Sequence, residues 1–385
     1  MGVIYIEPEY VERFHCDGTL CGSRCCKDWQ VVIDPRTYER YAGMASGEER
    51  EEILSHILKA DEKGNYPVES REDGSCPFLR EDGLCRIQKE RGEDFLSDIC
   101  FSYPRVTYRI GDVVERSLTM SCPVAARLLL GERERVRFRK REIDEVRRGW
   151  QTDVSARVQR HKAEWMDLQS AGIWLLQDRR FSLDRRLFSL QVFFSQAELL
   201  LEQENAQGFQ KLLEQVESGE YALRAAEQAD GVKFRREEYI RMMMGIYHEL
   251  YGAPMSEARE RDLLAVYENC YPVFAKEFLQ RDSHFFENYL VNEFFLRFYP
   301  YAFREQDLLE GNGRIFLLAW KVVEFALLMM RAQGPLDPER FLLGIDRMTE
   351  RLDHNKGGME AVRRYARDFS SGTTPEDFAA RVLRF

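Results

Sequence analysis

What the sequence lacks narrows it first. It contains no C-x2-C knuckle, no Gly-rich strand-to-helix fingerprint, no internal repeat, no low-complexity tract, and only 12 prolines in 385 residues. Zinc ribbons are built on paired C-x2-C knuckles and doubly wound cofactor domains on Gly-rich turns, so neither architecture is expected. An excess of basic residues is missing as well: 56 Lys and Arg face 66 Asp and Glu, a formal net charge of −10. Binding to a phosphate backbone by counterion release needs a basic face, so nucleic acid is not an expected partner. Residues 133–148 are the local exception, with Arg133, Arg135, Arg137, Arg139, Lys140, Arg141, Arg147 and Arg148 against Glu134, Glu142, Asp144 and Glu145. With acids interleaved, that stretch reads as a solvated helix.

Long apolar runs are absent too. The longest, residues 315–330, is interrupted by Lys321 and Glu324, so no membrane association is expected. The opening MGVIYIEPEY has no basic start and is broken by Glu7 and Pro8, which argues against a signal peptide and for the cytoplasm. Thiols stay reduced in that compartment, so clustered cysteines are expected to hold metal and not to pair.

Cysteine is what the sequence does have. Eight of the nine precede residue 123, spaced Cys16-x4-Cys21-x3-Cys25-Cys26, then Cys76-x8-Cys85-x14-Cys100-x21-Cys122. Thiolates in this number select zinc or an iron-sulfur cluster over hard cations. His15 is the one histidine close by, which disfavours a mixed Cys/His finger. Irregular spacing suits a cluster, whose size lets sulfurs converge from several loops. Gly and Pro stand beside the thiols, in Cys76-Pro77, Asp82-Gly83-Leu84-Cys85, Tyr103-Pro104 and Cys122-Pro123, and turns there expose N–H groups that can donate to sulfur. The C-x3-C-x2-C signature of radical S-adenosylmethionine enzymes is begun by Cys21 and Cys25, but position 28 is Asp. Cys25 and Cys26 are adjacent; in an extended segment their side chains point apart, so different roles are expected of them.

The fold expected is α+β and predominantly α. Residues 1–125 read as an irregular cysteine-rich, metal-binding domain with short strands, and residues 126–385 as an all-α helical domain. In the first, residues 3–6 and 29–33 are brief apolar runs, and Val106-Thr107-Tyr108-Arg109-Ile110, Gly111-Asp112 and Val113-Val114 read as a hairpin. Asp34-Pro35 opens a helix through about residue 44. In the second, residues 181–202, 314–330 and 341–352 carry helical periodicity, and Asp337-Pro338 and Thr374-Pro375 mark helix starts. Gly311-Asn312-Gly313 reads as a loop between helices, and the isolated Cys270 as a small buried hydrophobe.

The residues Arg13-Phe14-His15-Cys16-Asp17-Gly18, Cys21, Cys25-Cys26 and Trp29, followed by CPFLREDGLCRIQKERGEDFLSDICFSYPRV and SLTMSCP, resemble the flagellin lysine-N-methylase family. The Cys-Cys pair with the CPFL and YPR elements is also similar to a broader group of zinc- or iron-chelating cysteine-cluster proteins. Downstream, Glu287-Asn288-Tyr289-Leu290-Val291-Asn292, Phe294-Phe295 and Tyr299-Pro300-Tyr301 are similar to a motif of the same methylase family. The resemblance implies a protein-lysine N-methyltransferase that carries a [4Fe-4S] cluster and moves a methyl group from S-adenosylmethionine to lysine side chains of flagellin. A non-enzymatic zinc- or iron-chelating protein with a helical partner-binding domain is the alternative.

Methylation needs a neutral amine, and an unperturbed lysine titrates near ~10.4, so a site must desolvate the amine or deprotonate it. Residues 285–303 hold nine aromatics, Phe285, Phe286, Tyr289, Phe294, Phe295, Phe298, Tyr299, Tyr301 and Phe303, whose faces also attract a sulfonium. Most are expected in the core. Glu287, Asn288, Tyr289 and Asn292 are the candidates for cofactor contact, because polar groups in such a run need partners if buried. Cys16, Cys21, Cys25, Cys26, Cys76, Cys85, Cys100 and Cys122 are the candidate metal ligands.

Overall fold

The computed structural model describes residues 2–27, 29–143, 151–154, 164–297, 299, 309–354, 357–369 and 373–385. The chain forms two compact units, Met1–Ala125 with Phe138–Asp153, and Ala126–Arg137 with Val154–Phe385.

The first unit runs β1 (Val3–Pro8), α1 (Gly18–Cys21), β2 (Val32–Ile33), α2 (Pro35–Ala42), α3 (Glu48–Ser55), β3 (Tyr66–Pro67), α4 (Arg86–Arg91), α5 (Asp98–Ser102), β4 (Arg105–Ile110) and β5 (Val113–Leu118). The chain leaves it along α6 (Pro123–Leu130) and returns to add β6 (Phe138–Ile143) and β7 (Thr152–Asp153). The five-stranded sheet has the order β6-β1-β5-β4-β7, and β2 pairs with β3 separately. The expected hairpin is present: β4 and β5 are antiparallel with Ile110 opposite Val113. Gly111 holds φ +60° there, a conformation glycine adopts without a Cβ penalty. Helix α2 starts where the cap signal placed it, the Asp34 carboxylate accepting the Thr37 N–H at 2.9 Å. Its other oxygen accepts the Asp98 N–H at 2.8 Å, so one side chain caps α2 and pins α5.

Residues 138–143 depart from the helical reading. They form β6, antiparallel to β1, with Glu7 opposite Arg139 and Tyr5 opposite Arg141. The physical reason is the buried carboxylate of Glu7, which accepts from Arg116 at 2.8 Å and from Arg139 and Arg141 at 3.0 Å each. Arginines two apart in a strand share one face and can reach a common acceptor; on a helix they diverge. Residues 144–150, the end of that basic stretch, lie outside the described residues.

The second unit is helical: α7 (Trp165–Leu176), α8 (Leu183–Glu202), α9 (Ala206–Glu217), α10 (Glu220–Ala229), α11 (Arg236–Tyr251), α12 (Glu257–Phe274), a π-helical stretch (Ala275–Arg281), α13 (His284–Leu296), α14 (Leu309–Ala332), α15 (Pro338–Asp353), α16 (Gly358–Asp368) and α17 (Pro375–Val382). Asp337 and Thr374 cap α15 and α17 as expected. Gly311-Asn312-Gly313 is not a loop: it lies in the first turns of α14. A Cβ on Gly313 would meet the Phe194 ring at 2.9 Å, so the missing side chain serves the packing of α14 on α8. The charged residues of the apolar stretch are also explained, since Lys321 is buried between Asp184 at 2.7 Å and Glu324 at 2.8 Å. Among the described residues no helix is long and apolar enough to cross a membrane.

Candidate metal centre

All nine cysteines are free thiols. Eight of them, Cys16, Cys21, Cys25, Cys26, Cys76, Cys85, Cys100 and Cys122, line one cavity of about 110 Å³ in the first unit. Cys270 is half-buried on α12 and takes no part in it.

The cavity is assembled from four loops. Asp17 caps α1 by accepting from the Thr19 N–H at 3.0 Å, which sets Cys21 one turn on. Ser23, at φ +58°, donates its hydroxyl to Gly83 O at 2.6 Å and lies 3.2 Å from Gly18 O, tying the first cysteine loop to the one that carries Cys85. Cys25 and Cys26 then fall in a 3-10 turn, Arg24–Cys26, with their sulfurs 3.9 Å apart. This overturns the expectation that they diverge: an extended segment would send neighbouring side chains to opposite faces, whereas a tight turn does not. The Cys76 N–H donates to Cys26 O at 2.7 Å, and Leu79 bridges to Cys85, so the second and third loops are held to the first by backbone.

Three sulfurs receive pairs of backbone N–H groups: Cys76 from Phe78 and Leu79, Cys85 from Ile87 and Gln88, Cys122 from Val124 and Ala125. These are the turns marked by Cys76-Pro77 and Cys122-Pro123 and the start of α4. Such donors stabilise a thiolate. Burial acts the other way and dominates, pushing the thiols of Cys16, Cys100 and Cys122 up to about 12 and that of Cys76 up to about 11. Without a cation the cavity would hold protonated sulfurs, and a bound metal must displace those protons.

The remaining wall is apolar and aromatic. Trp29 meets Tyr103 edge-on at 4.4 Å between centroids, and Phe14, Phe78 and Leu96 line the cavity with them. Arg105 supplies positive charge: its guanidinium lies 5.2 Å from the Phe14 ring and 5.6 Å from Phe101, bridges to Glu93 at 2.9 Å, and opposes the rise of the Cys16 thiol.

The other candidates belong to the second unit. Glu287, Asn288, Tyr289 and Asn292 are all buried on α13, and none of them lines the cysteine cavity. The Glu287 carboxylate accepts from Arg186 at 2.7 Å and from Arg179 at 2.8 Å. The Asn288 amide donates to Leu129 O at 3.2 Å and Glu132 O at 2.7 Å. Tyr289 lies 5.8 Å from Trp320 between centroids. Phe286, Phe294 and Phe295 pack in the core as expected; Phe298, Pro300, Tyr301 and Phe303 lie outside the described residues. Two buried carboxylate sites on α13, then, are ion pairs: sequence reasoning named Glu287 but passed over Glu293, which is bound to Arg297 at 2.7 Å.

With this geometry in view, residues 15–123 match a putative zinc- or iron-chelating domain of the CxxCxxCC type, the segment that holds the eight thiols. Residues 169–374, more than half of the chain, match the FliB lysine N-methylase C-terminal domain. The chain belongs to the FliB lysine N-methylase family. Among similar proteins are the Lysine-N-methylases of Salmonella typhimurium (strain LT2) and Salmonella choleraesuis (strain SC-B67), each 35% identical over 127 residues, 32% of this chain and 32% of the relative. The flagellar biosynthetic protein FliU of Salmonella muenchen is 34% identical over 127 residues, 32% of this chain and 75% of that protein. The match thus spans about a third of the length of the two Lysine-N-methylases. No solved structure matches this FliB-family chain.

Proposed function

We propose that this FliB-family chain is an iron-sulfur protein that transfers methyl groups from S-adenosylmethionine to lysine side chains of flagellin in the cytoplasm. The observation that carries the reading is the ring of eight free thiols around one cavity in a chain of this family. The donor set is all sulfur, and N–H groups reach three of the sulfurs, which suits a cluster. Zinc held by four of these thiolates is the alternative occupant of the same cavity.

Cysteines among Cys16, Cys21, Cys25, Cys26, Cys76, Cys85, Cys100 and Cys122 would hold the cluster, which would supply iron chemistry and tie their loops together. The chain's own residues supply the rest. The lysine amine attacks only as the free base, so its proton must first leave to water; a wall of Trp29, Tyr103, Phe14 and Phe78 favours that loss by disfavouring the ammonium. The nitrogen lone pair then forms the N–CH3 bond as the donor's S–CH3 bond breaks, and the sulfonium becomes a neutral thioether. Aromatic faces hold the sulfonium before transfer. Glu287, Asn288, Tyr289 and Asn292 enter this reading as the donor-binding candidates of the second unit, where Arg179 and Arg186 hold the Glu287 carboxylate and the carbonyls of Leu129 and Glu132 accept from the Asn288 amide.

The test is co-expression with flagellin followed by mass analysis of its lysines. Added methyl groups that appear with the chain and vanish when it is omitted support the reading. Unmodified flagellin beside well-folded, metal-loaded protein, with no heat of binding for S-adenosylmethionine, overturns it in favour of a chelating protein without enzymatic activity.

A further inference from the structure

A core ligated by thiolates keeps a net negative charge, and this cavity leaves little solvent to screen it. Cys76 is buried in an apolar cluster with Val31, Ile33, Tyr41, Phe78 and Ile87, and Cys26, Cys85 and Cys100 pack against that cluster. Among the described residues of the lining, the charged side chains are Asp17, Arg24, Glu93 and Arg105, which cancel formally. Asp17 is exposed and engaged with Thr19, accepting from its N–H at 3.0 Å and its hydroxyl at 2.6 Å. Arg105 is placed differently: its side chain is only 14% exposed, and it is tied to three cysteine segments at once. It donates to the carbonyl of Phe101, the residue after Cys100, at 3.0 Å. Its guanidinium lies 5.2 Å from the ring of Phe14, two residues before Cys16, and 5.6 Å from the ring of Phe101. Its third partner, Glu93 at 2.9 Å, opens the turn that follows α4, the helix that starts after Cys85.

We infer that Arg105, held in place by Glu93, is the counter-charge of the thiolate centre and sets its reduction potential. This rests on the reading of the cavity as an iron-sulfur site and names what tunes it. A guanidinium does not shed its proton in a protein, so its charge is constant wherever the chain is folded. The faces of Phe14 and Phe101 accept that charge with less hydration than an ammonium requires. The Cys16 sulfur feels it, since Arg105 opposes the rise that burial imposes on that thiol. A cation beside a buried anionic centre favours the more negative, reduced state. Glu93 acts in reverse: its carboxylate orients the guanidinium and offsets part of its charge, while its own 44% exposure leaves it the better screened of the two. Loss of either partner therefore moves the potential, in opposite directions. A plain staple between loops would answer the loss of either partner in the same way.

The test uses the whole chain purified without oxygen, with metal and sulfide content measured first. The midpoint potential is then followed by electron paramagnetic resonance in the unaltered protein and in Arg105→Gln, Arg105→Lys and Glu93→Gln. Arg105→Gln should shift the potential to more negative values, Glu93→Gln to more positive ones, and Arg105→Lys should bring it back toward that of the unaltered protein. The rate of iron loss to a chelator gives a second reading with the same pattern: faster in Arg105→Gln, slower in Glu93→Gln, near the unaltered rate in Arg105→Lys. That rate decides the matter if the potential falls outside the accessible range. Shifts of one sign in both Gln variants, no shift in either, or a Lys variant that behaves as the Gln variant overturns the assignment. Should Arg105→Gln fail to fold, Glu93→Gln and Arg105→Lys carry the same signs and decide alone. Zinc in place of iron removes the iron-sulfur reading and this inference with it. Iron-loaded protein whose potential and iron loss ignore all three substitutions counts against Arg105 alone. Opposite shifts in protein that leaves flagellin unmethylated count against methyl transfer alone.

Discussion

Two carboxylates on α13 show how one residue type takes different roles from its surroundings. Glu287 sits between Arg179 and Arg186, and Arg186 is almost wholly buried. Glu287→Gln leaves that guanidinium without its counter-charge, which costs about 3–5 kcal/mol for a buried pair; the loss is read from the denaturant midpoint of the helical unit. Glu293 is different. Burial outweighs the help of Arg297 and pushes its carboxyl up to about 7, so the folded chain holds this proton more tightly than the unfolded chain does. Its contribution to stability is therefore full below about pH 4.5 and is lost as pH rises toward 7. Glu293→Gln, neutral throughout, should flatten the fall in stability across that window, as measured by denaturation at a series of pH values. An unchanged slope would place the proton elsewhere.

At the scale of elements, the metal cavity depends on a loop meeting a loop with no space between them. A Cβ on Gly18 would lie 1.9 Å from Gly83 O, and Ser23 bonds at the same junction. Gly18→Ala must push the Cys16–Cys26 loop away from the Cys85 loop. The overpacking cost is about 1–3 kcal/mol, and metal per chain should fall while the melting of the helical unit stays unchanged, measured by elemental analysis beside calorimetry. The strand β6 makes the complementary point. Two of its arginines, Arg139 and Arg141, find their buried partner in Glu7 on the neighbouring β1, a residue more than 130 positions earlier in the chain.

For the whole molecule, two compact units predict separate responses to metal removal. A ligand bound by the folded state alone stabilises that state. Stripping metal from anaerobic protein should thus lower the calorimetric transition of the cysteine unit and leave that of the helical unit in place. A single transition that moves as one would mean the units unfold together.

Much of this chain could be read before any coordinates. The cysteine count and spacing pointed to a thiolate site, because soft ligands in this number select zinc or iron-sulfur clusters; the caps at Asp34, Asp337 and Thr374 and the hairpin at Gly111-Asp112 are local chemistry and were legible as such. Contacts between distant segments were not. The alternation of Arg139 and Arg141 was a strand signal in plain view, but the charge composition of residues 133–148 argued for a helix, and the buried Glu7 is what decides for the strand. Gly311-Asn312-Gly313 looked like a loop because glycine's local preference says so, and only Phe194 lying across Gly313 explains why a helix needs it there. That Cys25 and Cys26 point to one cavity, that Ser23 clamps two loops, and that four of eight sulfurs share an apolar cluster were decided by tertiary structure, since each depends on side chains that packing alone brings together.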